Sequence, residues 1–383
     1  MTKRIWVLGA MAAALGAYAY ALARIVHGLR KLKPGTNDWQ HTVSVIIPAR
    51  NEEATIRRCL EGLVAQNYPK YLFEIIVVND RSTDRTAAIV EEMEAENPHI
   101  RLVNVHAVPY GKAPKKYAVT LGIQHALGQI IVTTDADCTH PRGWLGGINK
   151  EFAPDVGVVV GHTLYRDPRT RFEGVQAIDY LSHRIIGAGT IGEGEALNST
   201  ASNLAYRKSV FEEVGGFGEA GAMVSGDDDL FLQRVHTKTA WKVVAATAPD
   251  TFVRTEPVRT WGEFLRQRAR WASKATHYHT GVLPFLIATF ALFALIVVTL
   301  PFAVASPKRW FGFWALLAAK MGVDYWVMRR GAEKFGQTDL MRHFWIADLL
   351  NPFYVVLAVV WGVFGKFSWK GTSFARRVRL ARW

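Results

Sequence analysis

Cysteine is almost absent from this chain, with two, Cys59 and Cys138, in 383 residues. Two thiols make no disulfide framework, and nothing in their spacing suggests a thiolate metal site. No internal repeat or low-complexity tract occurs, which excludes solenoids, propellers and compositionally disordered classes. Charge is missing altogether from residues 5–23 (IWVLGAMAAALGAYAYALA) and 282–305 (VLPFLIATFALFALIVVTLPFAVA). Each run is long enough to cross a hydrocarbon core of about 30 Å. The first lacks a small-x-small cleavage site followed by a secreted-type sequence, so it reads as a retained anchor. Two further apolar stretches, 310–328 and 344–365, are interrupted by Lys320 and Asp324 in one, and by Asp348, Asn351 and Pro352 in the other.

Acid is what the C-terminal tail lacks. It carries Lys366, Lys370, Arg376, Arg377, Arg379 and Arg382 and contributes to a formal net charge of +13. Residues 254–274 add Arg254, Arg259, Arg266, Arg268, Arg270 and Lys274. Basic residues beside apolar spans favour the anionic cytoplasmic leaflet, so the partner this charge implies is a lipid bilayer and not nucleic acid. If every later stretch crossed, the basic tail would end outside; a re-entrant 344–365 segment, broken near Pro352, returns it to the cytoplasm. Lys320 and Asp324, four apart, are expected to pair within their helix. The expected organisation is a transmembrane anchor over 1–27, a cytoplasmic domain over 42–255, an amphipathic interfacial helix over 256–281, a transmembrane region over 282–365 and a basic tail over 366–383. The expected location is a bacterial inner membrane, with the 42–255 domain on the cytoplasmic side.

Between the apolar runs the pattern changes period. Val43 to Ile47 reads as a strand ended by Pro48, and Ile56, Leu60, Leu63 and Val64 then recur at helix spacing. FEIIVVND (73–80) and IRLVNV (100–105) are further strands, each followed by a helical stretch, and IIVTT (130–134) and VGVVVGHT (156–163) continue the series. Alternating strands and helices predict an α/β fold with a doubly wound, mostly parallel sheet. Residues 169–188 read as a helix. The glycine-rich segment 189–217 suits a pocket wall.

Polar clusters fall at strand ends, where ligands collect in open α/β sheets. Asp135 and Asp137 leave the 130–134 strand at a spacing that lets two carboxylates converge on one hard divalent cation; an acidic loop of no function is the plain alternative. Pro48, Ala49, Arg50, Asn51 and Glu52 end the first strand, and Asn79, Asp80, Arg81 and Ser82 the second. Glu52 and Asp80 suit the hydrogen-bonding groups of a nucleoside, although Asp80, Ser82 and Asp84 read equally as turn and cap residues. The basic loop with Lys112, Lys115 and Lys116 suits a diphosphate or a solvated surface. Asp227, Asp228 and Asp229 repel one another, which favours a general base among them; helix N-terminal acids facing water are the alternative. On the 260–274 helix Gln267, Arg270 and Trp271 share one face, which Arg268 cannot join. That face offers an amide, a guanidinium for a diphosphate and an indole for a sugar.

The succession VSVIIPARNEE, IIVVNDRSTD, TTDADC, SGDDDL and QRARW (267–271) resembles the membrane-bound, inverting family 2 glycosyltransferases with a GT-A fold, over about residues 42–275. GKFSWKG (365–371) is similar to the tail of lipid-glycosylating members of the ceramide glucosyltransferase type. The resemblance implies a GT-A-like sheet, a nucleotide-sugar donor contacted by Pro48, Ala49, Arg50, Glu52, Asp80 and Asp135, and Lys116 on the diphosphate. It implies Mg²⁺ or Mn²⁺ at Asp137 with Asp135. The base would be Asp227, counting back from Leu230, or Asp228, and Gln267, Arg270 and Trp271 would close the donor and acceptor site. Asn203 falls on the acceptor side, preceded by Ser202 where members often carry glycine. The activity the resemblance implies is transfer of a hexose from a UDP-linked donor to a membrane lipid hydroxyl. A processive polysaccharide synthase shares these motifs, and a non-catalytic nucleotide-sugar-binding membrane protein is the remote alternative.

Overall fold

The computed structural model describes residues 2–223, 226–274, 277–278 and 283–365, with the backbone of 367–369 and 372–374. Most of the basic tail, including Lys366, Lys370 and Gly371 of GKFSWKG, lies outside the described residues. The chain divides into two compact units, one of residues 31–167 and 190–256, the other of residues 1–30, 168–189 and 257–383.

In chain order the elements begin with α1 (Thr2–Lys31), β1 (Val43–Ala49), α2 (Ile56–Val64), β2 (Phe73–Asn79), α3 (Thr86–Glu96), β3 (Ile100–Asn104), α4 (Pro114–His125) and β4 (Ile130–Thr133). They continue with α5 (Trp144–Lys150), β5 (Val156–Val160), β6 (Thr163–Tyr165), α6 (Arg171–Gly192), β7 (Leu204–Arg207), α7 (Lys208–Glu213), α8 (Asp229–Lys238), β8 (Lys242–Ala245) and β9 (Val253–Thr255). The series closes with α9 (Trp261–Ala272), α10 (Leu283–Ala305), α11 (Phe311–Lys334), α12 (Phe344–Phe364) and the hairpin β10 (Phe367–Trp369) and β11 (Thr372–Phe374).

The first unit is built on a seven-stranded sheet of order β3-β2-β1-β4-β7-β5-β8. Strands β1, β2 and β4 are apolar almost throughout because helices cover both faces, and parallel sheets so covered lose the in-out alternation. β1 runs on through Pro48 to Ala49, two residues past its expected end. β4 pairs with it only as far as Ile46, so beyond that point a proline costs no ladder bond on that side. The sheet is not wholly parallel, because β7 lies antiparallel between β4 and β5. The segment expected to form only a pocket wall therefore contributes a central strand, four residues long and hidden among small residues. β6 and β9 form a separate parallel pair.

At the end of α5, Glu151 is buried at 5% exposure and accepts from the Gly35 backbone. Burial pushes its carboxyl up to about 7 from an ordinary 4.5. A carboxyl raised in the folded state contributes its stability fully below the unfolded value and loses it as pH rises through the folded one. Glu151→Gln is therefore expected to raise the melting temperature at pH 8 and to change it little at pH 4.5, as read by thermal melts at the two pH values.

Among the described residues, three helices are long and apolar enough to cross a membrane: Lys3–Lys31, Leu283–Ala305 and Thr338–Phe364. α11, the fourth stretch considered, is as long but carries Lys320 and Asp324 in its middle. These two pair at 2.8 Å as expected, and Lys320 reaches further, to Asp348 Oδ1 at 2.6 Å. The expected break near Pro352 does not occur: α12 is continuous from Phe344 to Phe364. Proline removes the hydrogen bond to the carbonyl four residues earlier, which is that of Asp348. Lys320 Nζ lies 3.5 Å from that oxygen, so the freed acceptor faces a cation.

Candidate active site

The loops after β1 and β2 are built as a matched pair. Asn51 and Arg81 both adopt φ of 55°, a left-handed turn that costs non-glycine residues about 1–3 kcal/mol and persists only where neighbours hold it. Here they do. Thr83 N donates to Asn51 Oδ1 (2.9 Å), Asn51 N to Ser82 Oγ (3.0 Å), Glu52 N to Thr86 Oγ1 (2.8 Å) and Glu53 N to Asp84 Oδ2 (3.1 Å). Ser82 and Asp84 thus serve as turn partners. Asp80 does not: buried at the end of β2, it accepts from Arg81 Nε at 2.8 Å and lies 4.0 Å from the Arg50 guanidinium. Its backbone N–H bonds Ala49 O (2.8 Å), which keeps the Pro48–Glu52 turn against it.

The loop after β4 carries the acidic pair. Asp137 Oδ2 accepts from Thr255 Oγ1 (3.2 Å), a partner with no signal in the sequence, and Oδ1 has the weak Cys138 thiol at 3.6 Å. Burial, then Asp135 and Glu52, push the Asp137 carboxyl above its ordinary value. Burial and the same two aspartates push both cysteine thiols up, so they stay protonated and inert.

Lys115, at the start of α4, stands between two carboxylates, Asp135 Oδ1 at 2.8 Å and Asp227 Oδ2 at 3.3 Å. Burial disfavours its charge, but Asp135 and Asp227 outweigh that and hold the ammonium firmly protonated. The three consecutive aspartates have three different surroundings. Asp229 is buried and accepts from Ser199 N (2.8 Å), Asp228 caps α8 by accepting from Asp229 N (2.7 Å), and Asp227 meets Lys115. Lys116, the next residue, is also buried, its ammonium donating to Ala220 O at 2.6 Å and lying 5.9 Å from the Phe217 ring. Lys115 is thus brought to the acidic cluster by the fold.

Asn203 corrects an expectation. It is fully buried, and its amide donates to His162 O and Thr251 O (both 2.9 Å) while Oδ1 accepts from Trp144 Nε1 (3.0 Å). A Cβ on Gly161 would lie 2.3 Å from its side chain. A side chain so enclosed braces the sheet and does not face an acceptor. In the second unit, Gln267, Arg270 and Trp271 are half-buried along one face of α9 and Arg268 is buried, which is the division that helical spacing predicts.

The donors around Asp137 are hard oxygens. Among the described residues no group of three or more His, Cys, Asp or Glu side chains forms a closed cage. Two carboxylates and a crowded negative charge fit Mg²⁺ or Mn²⁺, ions that keep open positions for substrate phosphates.

Residues 44–215 match glycosyl transferase family 2, and residues 130–328, more than half of the chain, match glycosyl transferase family group 2. The chain belongs to glycosyl transferase family group 2. Among the relatives of this family member, the probable glycosyltransferase YdaM of Bacillus subtilis is 34% identical over 266 residues, 65% of this chain and 58% of that protein. The beta-monoglucosyldiacylglycerol synthase of Synechocystis is 30% identical over 237 residues, 60% of this chain and 47% of that protein. The family member thus spans about half the length of these two curated relatives. Mannosyltransferase PcManGT from Pyrobaculum calidifontis, solved with GDP-Man and Mn²⁺, aligns with 91% of this chain and 99% of its own at a TM-score of 0.62 and 22% identity. That likeness establishes the GT-A-like fold.

Proposed function

We propose that this protein moves a sugar from a nucleotide-sugar, UDP-linked, to the hydroxyl of a membrane lipid with inversion at the anomeric carbon. The observation that carries this reading is the Lys115 bridge between Asp135 and Asp227 beside Asp137. A cation held among carboxylates at strand ends is the arrangement needed to receive a diphosphate. Helices suited to a bilayer support the lipid acceptor. The catalytic unit would be cytoplasmic, in a bacterial inner membrane.

In the proposed reaction, Asp227 takes the proton from the acceptor hydroxyl. The oxygen attacks the anomeric carbon opposite the nucleotide, and the bond from that carbon to the diphosphate breaks. Lys115 turns from Asp135 and Asp227 toward the departing phosphate charge. Glu52 and Asp80 orient the nucleoside, with Pro48, Ala49 and Arg50 in the same turn. Asp137 and Asp135 would hold the divalent cation, which supplies further neutralisation of the diphosphate. Gln267, Arg270 and Trp271 keep the donor and acceptor roles that the family resemblance implies.

Asp227→Asn is expected to lower kcat by roughly 10²–10⁴, the usual contribution of a positioned base. Asp228→Asn keeps a good capping residue and is expected to cost less than about tenfold. The reverse order would make Asp228 the base. Incubation of purified protein with nucleotide-sugars and a total lipid extract tests the function itself: a lipid bearing one sugar is expected, a polymer would identify a processive synthase, and donor binding with no transfer would make this a non-catalytic binder.

A further inference from the structure

The α9 helix carries two motif arginines, and the buried one is tied to two other helices. Arg268, at 5% exposure, donates through Nε to Asp179 Oδ2 at 2.6 Å, and its Nη2 forms an ion pair with the same oxygen. Asp179 belongs to α6. Its other oxygen, Oδ1, accepts from the hydroxyl of Tyr354 on α12 at 2.7 Å, and Asn351 donates to that hydroxyl at 2.6 Å. Burial alone would raise the Asp179 carboxyl, but Arg268, His183 and Tyr354 hold it below the usual range. Three helices therefore meet at one ionised carboxylate.

The same guanidinium touches two of the three residues on the half-buried face. It donates through Nη1 to Gln267 Oε1, and its carbon lies 4.1 Å from the Trp271 ring centre and 4.3 Å from that of Phe264. The Trp271 ring also meets Tyr180 at 5.9 Å and, edge-on, His183 at 5.6 Å, both from α6. A buried ion pair adds little net stability, because desolvation offsets its attraction. Its geometric effect is larger: a planar, fixed guanidinium sets the rotamers of an amide and an indole that lie against it.

We propose that Asp179, held by Tyr354 and acting through Arg268, is a positioning residue that sets the orientations of Gln267 and Trp271 for sugar transfer. The proposal rests on the transferase reading above. Asp179 touches no reacting atom in this scheme.

The test uses the full chain in lipid nanodiscs, labelled with 5-fluorotryptophan, with the Trp271 resonance assigned by its loss in Trp271→Phe. In Asp179→Asn that resonance is expected to shift and broaden, and in Tyr354→Phe, which leaves the ion pair in place, to move the same way by less. Turnover in Asp179→Asn is expected to fall on the order of 10²-fold with the donor KM within about threefold, and adding Trp271→Phe to cost under about threefold more, because the two changes remove one arrangement. Additive losses, or a Trp271 resonance identical to wild type in both variants, would overturn the proposal. The fluorine signal reads orientation without turnover, so a wild-type protein that transfers no sugar would sink the transferase reading while the positioning of Trp271 was still decided.

Discussion

Replacing Asp137 by Asn is expected to abolish sugar transfer and, with no metal present, to leave the protein at least as stable as before. The two effects have opposite signs for one electrostatic reason. Asp137 is crowded by burial, Asp135 and Glu52, all of which disfavour its charge. Its carboxyl is raised, so the stability it contributes is lost as pH rises through the folded value, and a neutral amide relieves that cost at pH 7. The same crowded charge is what would draw a divalent cation and a diphosphate together. Losing it should reduce kcat by on the order of 10³-fold or more, equivalent to about 4 kcal/mol of transition-state stabilisation. Melts in EDTA should place the variant at or above wild type, and added Mn²⁺ should raise the melting temperature of wild type only. Full activity in Asp137→Asn would remove Asp137 from the metal site, and a variant that unfolds in EDTA would show its carboxylate to be structural.

Lys320→Met is expected to have the largest effect on folding. Lys320, at 1% exposure, meets Asp324 Oδ2 at 2.8 Å and Asp348 Oδ1 at 2.6 Å, and Asp324 also accepts from Tyr18 at 2.8 Å. One ammonium thus serves two carboxylates on α11 and α12 and, through Tyr18, reaches α1. Removing it leaves two buried anions without a counter-charge, and breaking a buried pair from one side costs about 3–5 kcal/mol. Much of the protein should then fail to survive detergent extraction, as read by size exclusion and thermal melts. Asp348→Asn should be mild, because one lysine opposite one aspartate is formally neutral, and should restore part of the loss when combined with Lys320→Met. If the methionine variant melts with wild type, the cluster is not what joins these helices.

The legible parts of this protein were those whose cause is local. Val43 to Ile47 and Ile130 to Thr134 announce buried strands through apolar continuity, and Asp135 and Asp137 follow wherever such a strand ends. The α9 face of Gln267, Arg270 and Trp271 follows from helical spacing alone. β7 escaped because four residues carry no period of their own, and their pairing with β4 and β5 comes from segments more than 40 residues away in sequence. Asn203 was misplaced for a related reason: an asparagine beside small residues reads the same whether it faces a ligand or, as here, three buried partners.

Residue order was enough to set the parallel strands β1 to β4, the apolar helices and the acidic strand end, because hydrophobic period and run length act over neighbouring positions. That Lys115 bridges Asp135 and Asp227, that Thr255 meets Asp137, and why α12 continues through Pro352 were settled only in three dimensions. Each depends on where a distant group lies, and electrostatic and hydrogen-bond partners are chosen by distance in space, which neighbouring residues do not encode.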